Sequence, residues 1–546
     1  MTEKNHDSVV LEPRSGMHAT RRQLVKTAAV GGAGLAAAGL SRDLSLAAPV
    51  AGTSQLNAGF QTAGGTLRLV DATEPSSLEP AVGTGPFSHV ILGMFEGLVQ
   101  FDENLAAQPL LATEWSVGDD GLTWTFKLKE GVTFHDGTPF NAEAVKFSLE
   151  RVQGEDFGAT RRSNYLIIDS VNPVDDLTVE IVTVTPFPDL HFLLADQSAS
   201  IVSPTAATTL GDEEFGLHPV GTGAFSFVEW IPNDHVTIQK YAGYHGTPAW
   251  VDEVVFRVVP EASAREAMLR AGEADLIVSP PTESVSGLQE ESEFSTIVYD
   301  SLTLVTSEMR QTQPPFAIKE VRQAMNYAID KEAIVETIMS GLGRVADSPA
   351  PPGVWGAATF PPYEYDPEKA KELLATAGYP DGFDGNLFYV SGRWAGDDQV
   401  TQAMQAYWAQ VGINIQLETV DSGSFGENLS DDPDNRAGWT TQQIRSSTYL
   451  DYHLYRLYHS ESTLAVGAQR SGYQNPEVDR LIDEGRSTFD EDVRLEAYAQ
   501  AQQLIWDDAA FAWIFIRSNV LVHRAEVQGV NPHPNADLLL KEISVS

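Results

Sequence analysis

Leu122, Trp124, Phe126 and Leu128 alternate with Thr123, Thr125, Lys127 and Lys129, the period of two that a sheet with one wet face imposes. This pattern predicts a strand over residues 122–128, with Asp120-Gly121 as the turn ahead of it and Asp136-Gly137-Thr138-Pro139 as a turn after it. Further strands are predicted at residues 66–70, 179–184, 236–240 and 251–259. Asn141 stands ahead of Val145, Ser148, Leu149 and Val152, which share one helical face, so it is the expected N-cap of a helix. Past Pro314-Pro315 helices dominate. Val321, Ala324, Met325 and Ala328 fall at i, i+3, i+4 and i+7 and predict a helix that stops by Gly341. Asp366-Pro367 opens a helix with the buried stripe Ala370, Leu373, Leu374 and Ala377, closed by Gly378, and Asn475-Pro476 repeats the device before Leu481 and Ile482. Ile413, Ile415 and Leu417 alternate as a strand, and the tail over residues 519–543 reads as strand again. Strands and helices interspersed in this way predict an α/β protein, sheet-rich first, with a second α/β lobe over residues 316–515.

The chain has 546 residues, enough for about three folding units at roughly 150 residues each. Hydrophobic residues make up 42%, which excludes a wholly disordered chain. Lys and Arg total 35 against 76 Asp and Glu, a formal charge of -41. A surface so anionic repels phosphate backbones, so no nucleic-acid partner is expected. Cysteine is absent, which removes disulfides, thiol nucleophiles, thiolate metal sites and a lipid-modified N-terminal cysteine. Near the start, Thr20-Arg21-Arg22-Gln23-Leu24-Val25-Lys26 precedes a weakly apolar, glycine-rich run over residues 27–40 and the small-residue pattern Ser45-Leu46-Ala47. This arrangement resembles a twin-arginine export signal, with cleavage expected after residue 47 and a flexible lead-in over residues 48–62. No later run reaches the roughly 18 apolar residues a membrane helix needs, so an exported protein, soluble after cleavage, is expected in the periplasm or outside the membrane.

Four stretches then resemble the peptide-binding receptors of ABC importers, family 5 of the extracytoplasmic solute-binding proteins. They are residues 112–151, Pro219-Val220-Gly221-Thr222-Gly223-Ala224-Phe225 with Gly272-Glu273-Ala274-Asp275-Leu276, Val321-Arg322-Gln323-Ala324 through to Tyr365-Asp366-Pro367, and Asn475-Pro476-Glu477-Val478-Asp479. The resemblance implies a periplasmic-binding-protein-like fold of type II, in the large subclass with an extra subdomain, whose two lobes close on a ligand about a hinge. Lobe I is expected over residues 63–310 with the subdomain at about 110–220, lobe II over 311–516, and a return to lobe I over 517–546. The crossovers are expected near residues 306–315 and 516–522. The same resemblance implies a monomer without enzymatic activity or cofactor, which hands a peptide or similar polar solute to the transmembrane subunits of an ABC permease.

Candidate ligand contacts follow from the resemblance. Arg393, beside Trp394, stands where similar dipeptide receptors carry an arginine that meets a ligand carboxylate, a pairing suited to a planar guanidinium fork. Such receptors also carry an aspartate-rich stretch in which one carboxylate pairs with the peptide α-ammonium, but here Ser446, Ser447, Thr448 and Tyr449 occupy it and Asp451 comes two residues late. Asp451 replaces the amine anchor, or Tyr449 takes the slot and favours hydroxyl-rich or N-blocked ligands; both readings stand. Trp394, Trp439 and Tyr449 are candidates to stack on a ligand face, with Thr84 and Phe87 on an early loop, and the alternative for each aromatic is the core. Thr306, Ser307 and Met309 lie at the expected first crossover as ligand or hinge residues. His453 and His459 are six apart and no His-Glu-x-x-His occurs, so no metal site is expected, although relatives that hold a nickel chelate or an oligosaccharide offer a different cargo. A secreted hydrolase is the competing class; against it, no Gly-x-Ser-x-Gly nucleophile elbow occurs.

Overall fold

The computed structural model describes residues 63–83, 88–420, 439–445, 448–462, 471–535 and 537–546; the leader and lead-in lie outside them. Among the described residues eleven strands join in one sheet. β1 (Thr66–Asp71) lies parallel to β10 (Glu253–Val258) and β11 (Leu276–Val278), and β9 (His235–Lys240) and β8 (Phe225–Ile231) continue the β10 edge antiparallel. At the other end β14 (Phe383–Tyr389) pairs in parallel with both β15 (Ile413–Thr419) and β16 (Trp439–Arg445). Two long strands bridge these groups: β12 (Phe294–Met309) and β17 (Ala512–Arg524), antiparallel to each other, with the short β13 (Gly343–Val345) beside β17. A hairpin of β2 (Val99–Phe101) and β3 (Ala107–Pro109) precedes a separate four-stranded antiparallel sheet. That sheet runs β4 (Ala112–Val117), β5 (Thr123–Leu128), β7 (Thr178–Thr183), β6 (Ile168–Asp175).

The bridging strands do not run evenly. Phe294 to Asp300 pair with Arg524 to Ser518, then the register shifts, and Leu304 to Ser307 pair with Ile516 to Ala512. Within the break, the Ser301 hydroxyl donates to the Arg517 carbonyl (2.9 Å) and the Leu302 amide to the Pro534 carbonyl (3.3 Å). The first pairing group joins the half containing β1, the second the half containing β16.

Local signals explain the helices. Asn141 Oδ1 accepts the Ala144 amide (3.1 Å) and starts α1 (Ala142–Gln153), whose Val145 and Leu149 are fully buried. The stripe beginning at Val321 belongs to two helices rather than one: α2 (Lys319–Tyr327) ends, and Asp330 caps α3 (Lys331–Thr337) by accepting the Ala333 amide at 2.9 Å. A second cap is a stronger local signal than continued periodicity. Asp366 and Asn475 likewise cap α4 (Pro367–Thr376) and, after α5 (Asp397–Ala409) and α6 (Leu450–Tyr458), α7 (Pro476–Ser487), with α8 (Glu491–Asp507) following. The tail is corrected too. Its strand begins earlier, at Ala512, and beyond Arg524 only short pieces remain, because the stretch from Asn531 to Asn535 holds Pro532 and Pro534, which cannot donate to a ladder.

Lys331 opens α3 almost wholly buried; its Nζ donates to the Tyr363 carbonyl (3.1 Å) and lies 5.5 Å from the Tyr363 ring centre. Burial pulls its pKa down to about 7. Above that pH the unfolded chain holds a proton the folded chain lacks, so this lysine makes stability rise with pH up to the ordinary lysine range. Lys331→Met should remove a rise of about 1 kcal/mol per pH unit between pH 7 and 9. Urea midpoints of both proteins across that window check this, and parallel profiles would refute it.

Candidate functional site

A cleft of about 1180 Å³ opens where the bridging strands change register, with Ser301, Leu302, Thr303 and Asn519 among its lining residues. One wall belongs to the β1 half and the four-stranded sheet: Arg161 and Asn164 after α1, Asp196 to Ser198, and Asn535 with Asp537 from the C-terminal segment. The other wall is α6 and α7, which present Tyr449, Asp451, Tyr452, Tyr455, Arg456 and Arg486. Both walls therefore carry acids and bases.

On the first wall Arg161 pairs with Asp196, whose Oδ1 is held by the Ser198 amide (3.0 Å) and hydroxyl (2.7 Å). The Arg161 side chain is 54% exposed, and the space it borders is the cleft. Asp196 holds its pKa above the ordinary arginine value, so the group is a permanent cation. On the second wall the Arg486 guanidinium carbon sits 3.8 Å from the Tyr455 ring centre, and that of Arg456 5.2 Å from Tyr452. Asp451 is 2% exposed, accepts from the Tyr498 hydroxyl (3.1 Å) and lies 3.5 Å from Arg486 Nε. Burial raises its pKa, and Arg486 opposes that shift. Tyr449 stacks on Phe192 with centroids 6.2 Å apart, and burial lifts its hydroxyl well above the ordinary tyrosine value.

The walls also grip each other behind the cleft. Asp189, at the foot of the first wall, pairs with Arg494 of α8, both buried, and Phe489 between α7 and α8 meets Trp124 of β5 at 5.9 Å.

Of the residues singled out from sequence, Tyr449 and Asp451 line the cleft together. Thr84 and Phe87 lie outside the described residues, although Gly83 and Ser88 on either side line it. Trp439 is described only as backbone, paired with Asn386. Thr306, Ser307 and Met309 are buried in β12, past the register break, and are not among the described lining residues. Arg393 is exposed in the loop before α5, its amide donating to Asp397 Oδ2 (2.6 Å). Trp394 packs edge-on to Phe515 under the Arg517 guanidinium. Neither is among the described lining residues. Sequence reasoning missed Arg161, Asp196, Tyr452, Arg486 and Asp537. The adjacent Arg161-Arg162 in a strongly acidic chain was the available signal for the first.

Among the described residues no group of three His, Asp or Glu is arranged to hold a metal ion, and no helix is long and apolar enough to cross a membrane. The family model of the bacterial extracellular solute-binding proteins, family 5, matches residues 106–460. The chain belongs to this family. The chain is similar to the glutathione-binding protein GsiB of Pectobacterium atrosepticum, 35% identical over 453 residues, 82% of this chain and 87% of that one. Among solved structures, the ABC transporter-associated periplasmic binding protein DppA of Helicobacter pylori, in complex with the peptide STSA, is 26% identical and superposes with a TM-score of 0.77 over 89% of this chain and 98% of its own. AgaA from A. tumefaciens R10, in complex with agropinic acid, is 25% identical with a TM-score of 0.76 over 88% and 99%. Family membership confirms the type II receptor fold expected from the motifs.

Proposed function

We propose that this solute-binding protein captures a peptide-sized solute carrying both an acidic and a basic group, and delivers it unchanged to an ABC permease. The observation that carries the reading is the cleft itself: 1180 Å³, set at the register break of both bridging strands, with arginines, aspartates and tyrosines on facing walls. Pockets between halves of a molecule suit small ligands, and contacts made to both walls favour the closed arrangement. The glutathione named for GsiB and the peptide bound to DppA support this size and charge. Arg161 is the carboxylate anchor in this reading. It spends one Nη on Asp196, and among the described residues its Nε and other Nη have no protein acceptor. The hinge is the stretch Ser301–Thr303 with Arg517–Asn519, the chain acts as a monomer, and a twin-arginine leader exports it.

The test is mass spectrometry of the small molecule that copurifies, followed by calorimetry with glutathione and di- to tetrapeptides. Arg161→Gln should weaken a carboxylate-bearing ligand about tenfold or more, the value of a charge-assisted hydrogen bond. Unchanged affinity would remove Arg161 from the site. A second reading, a hydroxyl-rich cargo, draws on Tyr449, Tyr452 and Tyr455 along one wall. Heat from cello- or xylo-oligomers and none from peptides would establish it, and cleaved product from any of them would replace both readings with a hydrolase.

A further inference from the structure

Four acidic side chains appear among the described residues lining the cleft, and they are not equivalent. Asp196 is paired with Arg161, and Asp451 is engaged by Tyr498 and Arg486. Asp483 is 61% exposed and solvated, 3.4 Å from the His459 ring. Asp537 differs from all three. Its Oδ2 accepts from Asn535 Nδ2 (2.6 Å) and the Ser88 side chain bonds to it, yet among the described residues no cationic group stands within ion-pair distance. A half-buried carboxylate that borders a ligand cleft with no cation within ion-pair distance among the described residues is costly unless something arrives to neutralise it.

We propose that Asp537 is the cleft's ammonium anchor, taking the charged primary amine of the ligand from the wall opposite to Tyr449 and Asp451. The proposal rests on the peptide reading above and deepens it. Asp451 is poorly placed for the task, because an incoming amine would have to displace the Arg486 and Tyr498 contacts of a side chain only 2% exposed. The amine site that the Ser446–Asp451 stretch lacks is thereby supplied by the C-terminal segment, more than 370 residues from Arg161 in sequence but on the same wall.

The groups facing Asp537 set its titration. Burial pushes its pKa up to about 6, with Ser88, Asn535 and Arg161 opposing and Asp196 reinforcing. Tyr299 feels its charge from β12, and Glu96, His533 and Lys541 line a cavity of about 60 Å³ on its other side. An ammonium binds the carboxylate and not the acid, so affinity for amine-bearing ligands falls as pH drops through about 6, towards tenfold per pH unit.

Calorimetry on the full chain tests this with glutathione and a pool of di- and tripeptides, each free and Nα-acetylated, against the wild type and Asp537→Asn. The expected result is binding of free-amine forms, at least about tenfold loss on acetylation, and a matching loss in Asp537→Asn that spares the acetylated forms. Equal binding of free and acetylated peptides, or free-peptide affinity unchanged in Asp537→Asn, would overturn the anchor and leave the peptide reading intact. No binding of any peptide by the wild type would overturn both. Should the variant fail to fold, the wild-type profile alone decides: affinity for a free peptide that stays flat from pH 5 to 8 refutes the anchor.

Discussion

Arg494→Ala is expected to lower the stability of the folded chain by about 3–5 kcal/mol, the cost of stranding a buried charge. Arg494 and Asp189 are 9% and 3% exposed at their side chains, so once the guanidinium is gone the Asp189 carboxylate has no water to replace it. Arg494 also donates from Nε to the Gly485 carbonyl (3.2 Å) and lies 4.7 Å from the Trp355 ring centre, so the truncation removes packing as well as charge. Burial already raises the Asp189 pKa despite Arg494, and the variant should take up a proton there on folding. Urea unfolding at pH 7 measures the loss. The double variant Asp189→Leu with Arg494→Met should recover most of it, because two apolar side chains of similar bulk carry no desolvation penalty. A single-variant loss below about 1 kcal/mol would mean the pair is hydrated.

Gly221→Ala should be nearly as damaging, about 3 kcal/mol, for a steric reason. A Cβ at Gly221 would sit 2.2 Å from the Met94 carbonyl oxygen and 2.6 Å from Phe95 Cδ1, where backbone and a fully buried ring leave no room. The neighbouring bonds fix the segment: the Gly221 carbonyl accepts the His135 amide and the Gly223 amide donates to Met94, both at 2.9 Å. Gly287 is the control. It lies in the helix Val285–Glu290 with nothing within 4 Å of its missing Cβ, so Gly287→Ala should be neutral or stabilising by up to about 1 kcal/mol. Comparable losses at both positions would show that the close approach at Gly221 is not what matters.

Features whose cause is local were legible in the chain. Asn141, Asp366 and Asn475 announce their helices because a cap and the amides that donate to it lie within three residues, and the alternation at 122–128 announces β5. The division after Tyr327 was missed because helical periodicity ran on through it, and only the Asp330 cap gives it away. The order of the large sheet could not be read, since β17 finds β12 and β11 across more than two hundred residues. The cleft shows the same limit. Tyr449 and Asp451 were found by their offset from a neighbouring motif, whereas Asp537 is one acid among 76 and is distinguished only by what surrounds it.

The place of β17 has a consequence for how the protein is made. This strand, the last of the large sheet's described strands in chain order, lies in the middle of that sheet between β12 and β11. Until residue 524 emerges, the nascent chain carries two unjoined sheet fragments with bare edges, the species most prone to stick to its neighbours. A charge of -41 keeps such half-built molecules apart by mutual repulsion, so the acidity serves the unfinished chain as well as the finished one.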